Sequence, residues 1–209
     1  MTPEELLKQY ESGRRNFQGE DLRGMSLRDA RLNWIRLADA DLRGADLSGS
    51  SLIEADLSCA DLEDGVLVGV KMVGANLRGA ILDRVDLRRA VLYNADLREA
   101  SFSGANLTGA DLGRVDLRGG KLDGAKLNDA DLSEAKLSKA SLGRACLLRA
   151  RLHSADVSGA SFLQADLREA NFTRAYMEGT RLDQANLAGA NMEGVTFIQH
   201  DVDSQTAEG

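Results

Sequence analysis

The feature that most constrains this chain is a period of five residues, which runs without insertion or deletion from Phe17 to Phe197. Thirty-seven consecutive positions at this spacing, here called central positions, hold a bulky apolar residue, most often leucine. Two residues before the central position lies a second apolar series, the alanine positions. Between Ala30 and Val195, 25 of its 34 members are alanine and the others are small or β-branched.

This spacing predicts a chain that turns a corner in every unit. Alternation of inward and outward residues within a unit is typical of a β-strand, but a straight strand with an odd period would reverse its apolar face at each repeat. A helix is excluded, because five residues advance about 500° at 3.6 residues per turn. Fifteen of the 21 glycines lie two residues after a central position, where a corner needs positive φ. Asp or Asn often precedes the central residue, and such short side chains bond local backbone at turns.

These units resemble the A(D/N)LXX repeats of the pentapeptide-repeat family. Typical examples are ADL at 45–47 and 95–97 and ANL at 75–77 and 105–107. The resemblance covers residues 17–199 and implies an all-β fold, a right-handed quadrilateral parallel β-helix with four units per coil. The units would then form just over nine coils, a rod of roughly 45 Å at ~4.8 Å per layer. Such a solenoid needs covers at its ends, since each coil touches only its neighbours.

The two ends break the pattern in different ways. Residues 1–16 are predicted to form a short capping helix, with Thr2 as N-cap, Pro3 at the first helical position and Glu5 completing a capping box. The apolar face of this helix consists of Leu6, Leu7 and Tyr10. The segment resembles the heads of cyanobacterial pentapeptide proteins, and a partner-binding helix is the alternative interpretation. Residues 200–209 are predicted to be a polar C-terminal tail.

The sequence offers no chemistry typical of an enzyme. His153 and His200 are the only histidines, and no metal-binding, phosphate-binding or nucleophile motif is present. The many aspartates are explained by the repeat. Cys59 and Cys146 form neither a disulfide framework nor a metal motif, and they would lie on opposite sides of the rod. We therefore predict a non-enzymatic cytoplasmic protein with no catalytic residues, cofactor or metal, and without a membrane span.

Charge separates two functional hypotheses. The net charge of −7 and the single tryptophan argue against direct nucleic-acid binding. Some members of the family bind DNA gyrase by presenting an acidic rod, and some confer quinolone resistance. Here Asp39–Asp64 contains eight acidic residues and one basic, whereas Arg114–Arg151 contains nine basic and five acidic. The favoured prediction is a protein–protein interaction or regulatory scaffold with an unidentified protein partner, and the alternative is a DNA-mimicking modulator of DNA gyrase or topoisomerase.

Two surfaces are candidates for contact. Outward apolar residues form the first, the side patch, predicted to be an interface: Trp34, Ile53, Val66, Val68, Val73, Val91 and Tyr93. The alternative explanation is the β-propensity of such residues on a strand face. The second, the C-terminal edge, could pair two copies as a homodimer: Leu182, Leu187, Met192 and Phe197. Folding of Ile198–Val202 over that edge is the alternative. Six DLR triplets are predicted to form a solvated charge ladder: 21–23, 41–43, 86–88, 96–98, 116–118 and 166–168.

Overall fold

The computed structural model describes residues 1–197. After helix α1, Pro3–Glu11, the chain winds in coils that are joined by parallel bridges between each residue before a central position and the residue twenty further on. The bridges run in unbroken series from Asn16↔Arg36 to Tyr176↔Thr196. A twenty-residue offset and a five-residue unit give four units per coil. Within residues 1–197, every bridge is a single residue pair and none extends into a longer strand.

The unit built on Leu22 shows how the backbone is satisfied. The Leu22 N–H donates to the Asp41 carbonyl of the next coil at 2.8 Å, and the Gly24 N–H donates to Arg43 at 2.9 Å. The Met25 N–H donates back to the Leu22 carbonyl at 3.1 Å, which closes a β-turn. The residue before each central position donates to the preceding coil. Four of five N–H groups per unit therefore bond to backbone, and the one left over follows the central residue.

Every corner places its second turn residue in the left-handed region. All positions two residues after a central residue, from Gly19 to Gly194, have φ between 54° and 74°. Fifteen of these residues are glycine and twenty-one are not. None of the twenty-one is Val, Ile or Thr, whose branched Cβ tolerates positive φ worst. The positive φ therefore restricts the residue type at the position two after each central residue, although this position is on the surface.

The core consists of the two inward series. The central residues from Phe17 to Met177 are at most 1% exposed. Units twenty residues apart stack in columns, and we number the four columns by their first central residues, Phe17, Leu22, Leu27 and Leu32. Phe162 of the second column meets Phe172 of the fourth edge to face, with ring centroids 6.1 Å apart. The alanine series leaves room for these large side chains to meet across the rod.

Helix α1 lies against the first coil. Thr2 and Glu5 form the reciprocal capping box, and Leu6 is fully buried in the core. The Tyr10 hydroxyl donates to the Asn33 carbonyl at 2.8 Å, so the helix is also joined to the last unit of the first coil. Gly13, at φ 102°, follows the helix end.

The predicted tail at 200–209 and the alternative fold-back of Ile198–Val202 lie outside the described residues. Among the described residues, no helix has the length and apolar character needed to span a membrane.

Candidate interaction surfaces

In most units, the N–H that follows the central residue donates to a side chain. In most units with Asp or Asn before the central residue, the Oδ1 atom accepts this N–H, as Asn106 does from Thr108 at 3.2 Å. We call this arrangement the in-unit cap. It gives the D/N of the repeat a structural role, because an unpaired backbone donor at a partly buried corner is unfavourable.

A second source of the same acceptor lies one coil away. Asp83 accepts from the Ser103 N–H at 2.8 Å, and Asp123 accepts from the Gly143 N–H at 2.9 Å. Asn33 and Asn128 cap the units above them in the same way. In all four cases the capped unit has Ser or Cys where its own Asp or Asn would stand: Ser51, Ser101, Ser141 and Cys146. The missing in-unit cap is replaced from the preceding coil.

The DLR triplets form the predicted charge ladder. In all six, the arginine guanidinium donates to both oxygens of the aspartate two residues earlier, while the arginine N–H takes the in-unit cap. The Arg23 guanidinium lowers the pKa of Asp21 to about 2. The Arg98 guanidinium likewise lowers the pKa of Asp96. Between coils, Arg43 also lies 3.6 Å from Asp61.

The acidic segment Asp39–Asp64 is partly neutralised by arginines outside it. Arg84 binds both Glu63 and Asp64, at 2.7 and 2.8 Å, and Arg28 binds Asp46 at 2.8 Å. Interspersed positive charge of this kind weighs against DNA mimicry, which needs extended acidity.

Five of the seven side-patch residues lie in the fourth column. Bridges Ser51↔Lys71 and Lys71↔Val91 stack their units directly. Val66 and Val68 flank a central residue of the neighbouring third column, where Asp46↔Val66 sets the register. The structure therefore places the seven residues on two adjoining columns, as their spacing predicts. Their role as an interface stays a prediction.

Trp34 and Tyr93 are the aromatic members of the patch. Trp34 is 58% exposed at a positive-φ corner, and its Nε1 donates to Glu54 at 2.8 Å. Tyr93 is 37% exposed and leans over Gly113, where an added Cβ would lie 3.1 Å from the ring. The Arg114 guanidinium lies 5.8 Å from the centre of that ring. The tyrosine thus presents a flat apolar surface along the column.

Hydrogen-bond donors are exposed beside the apolar side chains. Units centred on Leu67, Met72 and Leu92 lack Asp or Asn at the capping position, which Val66, Lys71 and Val91 occupy instead. Within residues 1–197, the N–H groups of Val68, Val73 and Tyr93 have no hydrogen-bond acceptor, and Lys71 has no ion pair.

The C-terminal edge is the least buried part of the core. Phe197 is 62% exposed, and the other three edge residues are only partly buried. Their successors in the twenty-residue register begin at position 202, outside the described residues.

One surface groove lies in the second column, between adjacent coils. The groove between Asp123 and Arg144 is floored by Gly124 and Gly143 and walled by Leu163. Its carboxylate already caps Gly143 and accepts from Ser141 Oγ at 2.6 Å. Among the described residues, no group of three or more potential metal ligands converges. Both cysteines are free thiols, Cys59 in the first column and Cys146 in the third.

Comparison with known proteins identifies the family. The profile of pentapeptide repeats matches this chain in eight copies, over residues 14–44, 35–72, 71–109, 110–147, 145–184 and 165–201. Among solved structures, HetL from the cyanobacterium Nostoc sp. strain PCC 7120 is 35% identical, with 94% of this chain and 97% of that chain covered and a TM-score of 0.43. The chain therefore belongs to the pentapeptide-repeat family, whose members are β-helical solenoids.

HetL is described as a pentapeptide-repeat protein involved in the regulation of heterocyst differentiation. A second Nostoc pentapeptide-repeat protein, alr5209, is 30% identical, with 53% of this chain and 80% of that chain covered and a TM-score of 0.25. A trypsin-treated form of QnrB1, a plasmid-mediated fluoroquinolone resistance protein, is 20% identical, with 87% and 89% covered and a TM-score of 0.40. A comparison with curated proteins returned no match.

Proposed function

We propose that this protein is a non-enzymatic cytoplasmic scaffold that regulates a partner through direct protein–protein contact. Its coils would wind as the right-handed quadrilateral β-helix that the family resemblance implies. The observation that carries the proposal is the side patch, where exposed Trp34 and Tyr93 accompany aliphatic residues on two adjoining columns. Contiguous apolar surface with aromatic anchors is typical of interfaces.

The position of Trp34 strengthens this interpretation. A bulky residue at positive φ is strained, by about 1–2 kcal/mol relative to glycine. Its indole is neither buried nor required to fill the core. Twenty other non-glycine corners share this conformation, so the exposure of the indole, which fills no part of the core, is what supports binding. A regulatory role is also consistent with HetL, the 35% identical relative.

The alternative, a DNA-mimicking modulator of gyrase, makes a different prediction. A mimic would act through acidic side chains, whereas the acidic segment here is paired with Arg28, Arg43 and Arg84. We expect no effect of the purified protein on gyrase supercoiling at concentrations where it binds its partner. Inhibition or protection of gyrase would favour the alternative.

The experiment that tests the scaffold is affinity capture from the native host with matched variants. Trp34→Asn and Tyr93→Ser place in the patch the residue types that the same column carries at Asn94 and Ser133. The folded rod is retained, because asparagine tolerates positive φ. Tyr176→Asn is the control, since this tyrosine is 50% exposed in the first column, where Asn76 holds the equivalent position.

We expect the double variant to lose co-purifying proteins that the control retains. Capture that is equal for both variants would reject the side patch as the interface.

For the C-terminal edge we propose end-to-end pairing of two copies as a homodimer. The exposure of Phe197 and the partial burial of the other edge residues support this proposal. A two-fold axis would let each edge cover the other and close the stack.

A further inference from the structure

The fourth column changes the sign of its charge around Val91. Lys71 lies one coil before Val91, and Asp111 lies one coil after it. Lys71 has no ion pair within the described chain. Asp111 uses Oδ1 to cap the Gly113 N–H at 3.0 Å, and its Oδ2 has no hydrogen-bond partner among residues 1–197. An unpaired cation and an unpaired carboxylate oxygen therefore lie at equal distances on either side of one valine.

The surface between these charges is apolar and flat. Val91 is half-buried at the middle of the column, and Tyr93 lies beside it over the buried Gly113. Val73 stands one coil earlier at the same corner, so an apolar side chain and a tyrosine ring occupy opposite sides of the Val91 level.

We propose that the side patch binds a second copy of this chain, antiparallel, with a two-fold axis at Val91. This proposal rests on the patch being an interface and assigns a second copy of the chain to its part around Val73, Val91 and Tyr93. Trp34 lies three coils from the axis and stays outside this contact. The axis is perpendicular to the rod, so the second copy runs in the opposite direction. Each edge of the column then faces the same edge of the column in the second copy. Lys71 then faces Asp111 of the second copy, Val73 faces the Tyr93 ring of the second copy, and both contacts occur twice.

Parallel pairing of the same column is disfavoured by its charges. It would set Lys71 against Lys71 and Asp111 against Asp111, and like charges across an interface are strongly unfavourable. The antiparallel arrangement converts both unpaired groups into complementary pairs around an apolar centre. Arg31 and Arg151, the like charges that it brings to the same level, lie three coils from the axis at the rim, where solvent screens them.

Light scattering with the full-length Phe197→Asp protein tests this contact, because the charged edge removes end-to-end pairing. We expect this protein to be a dimer. Lys71→Glu should weaken the dimer by about tenfold or more, Asp111→Lys should do the same, and the two changes together should restore it. Lys126→Glu is the matched control, an exposed lysine at the equivalent position of the third column, and it should leave the dimer unchanged.

Thiol cross-linking tests the direction of pairing. In a Cys59→Ser/Cys146→Ser background, Val91→Cys should join to itself through a linker of about 10 Å, the spacing of packed sheets. Ser51→Cys lies two coils from the axis, so its two copies would be at least ~19 Å apart at ~4.8 Å per coil, and it should not join.

A monomeric Phe197→Asp protein, or a dimer indifferent to both charge reversals, would overturn the proposal. So would efficient cross-linking through Ser51→Cys, which requires parallel chains. These outcomes differ from failure of the scaffold function. If the protein is a monomer and its side patch still captures a host protein, the patch is an interface, but its occupant is that protein and not a second copy.

Discussion

At the residue scale, the backbone angle φ restricts which residues can occupy the corners, just as burial restricts which residues can occupy the core. Twenty-one corner residues adopt the left-handed region without being glycine, and they include charged residues such as Arg89 and Lys139. Their side chains extend into solvent, so the backbone conformation is the main constraint on them. The corners therefore permit substitutions that vary charge and forbid those that branch at Cβ.

Gly69 and Arg89 allow this conclusion to be measured, because they occupy equivalent corners of adjacent coils. A Cβ added at Gly69 would meet nothing within 4 Å, so Gly69→Ala isolates the backbone term. We expect Gly69→Ala to destabilise by about 1 kcal/mol and Gly69→Val by more, while Arg89→Gly should be neutral or stabilising. Thermal melting of the three variants provides the comparison. Equal melting temperatures for Gly69→Ala and the parent would contradict the strain argument.

A second prediction concerns the inward and outward positions around Leu107. Leu107 is fully buried, whereas the hydroxyl of Thr108 only donates to the Asn106 carboxamide at 2.7 Å. Leu107→Asp places a charge without a partner in the core and should lower the melting temperature severely or unfold the protein. Thr108→Ala should change stability by less than about 1 kcal/mol. Similar melting curves for the two variants would refute the orientation of the unit.

At the element scale, the cross-coil caps made by Asn33, Asp83, Asp123 and Asn128 tie neighbouring coils together in addition to the bridges. Asp123 makes this testable, since it caps Gly143 across the coil boundary where Ser141 replaces an in-unit cap. Asp123→Ala should cost about 1–3 kcal/mol, because it leaves the Gly143 N–H without an acceptor.

A second substitution should restore the stability that Asp123→Ala removes. Ser141→Asp in the Asp123→Ala background would supply an in-unit cap, as Asp111 does for Gly113, and should recover most of the loss in chemical denaturation. No recovery would show that the carboxylate contributes through its charge or its bond to Ser141 instead.

The DLR ladder predicts an acid transition. Arginine bonds lower the pKa of Asp86 and Asp96 in the folded state, and that of Asp21 to about 2, from an ordinary value of 3.8. The unfolded chain therefore binds more protons in this range, so stability rises with pH. The contribution is complete above about pH 4 and is lost as pH falls through the folded pKa values.

Melting temperatures between pH 7 and pH 2 provide the measurement for this acid transition. An Asp86→Asn/Asp96→Asn variant keeps the cap, as Asn76 and Asn106 do, and should show a shallower decline. An identical pH profile would indicate that other carboxylates dominate.

Much of this architecture follows from sequence because it repeats. The central leucines, the Thr2–Glu5 capping box and the DLR pairs each depend on residues within five positions of one another, and the structure confirms them. The cross-coil caps were not predicted. Their signal is an Asp or Asn after the central residue with Ser or Cys eighteen positions later, and it becomes readable only when the sequence is written in rows of twenty.

The other contacts between surface residues could not be predicted from the sequence, because they depend on the direction of each side chain. The sequence places Tyr93 near Val73, but whether its ring lies toward that valine or over Gly113 depends on the rotamer and on the empty space that the glycine leaves. The pairing of Glu63 with Arg84 similarly requires the separation of neighbouring corners in space. Local patterns fix which residues are outward, and packing between coils decides which of them meet.

At the scale of the whole molecule, the two proposed contacts have different consequences. Antiparallel pairing through Val91 leaves the two C-terminal edges at opposite ends of the dimer, so end-to-end pairing through Phe197 would link dimers into strings. We expect the wild-type mass to rise with concentration, and Phe197→Asp to cap it at a dimer. Sedimentation velocity across a concentration series distinguishes these cases. A wild-type protein that remains monomeric throughout would eliminate both contacts.

The unbroken twenty-residue register turns residue number into a cylindrical coordinate. Each residue's number gives its height along the rod, and its remainder after division by twenty gives its azimuth. Removing one whole coil from the middle would shorten the rod by ~4.8 Å and leave every later residue in its own column. Removing one five-residue unit would rotate everything beyond it by one column, and a surface that spans several coils would be split between two faces. Lineages of such proteins can therefore change length without redrawing their surfaces only in steps of twenty residues.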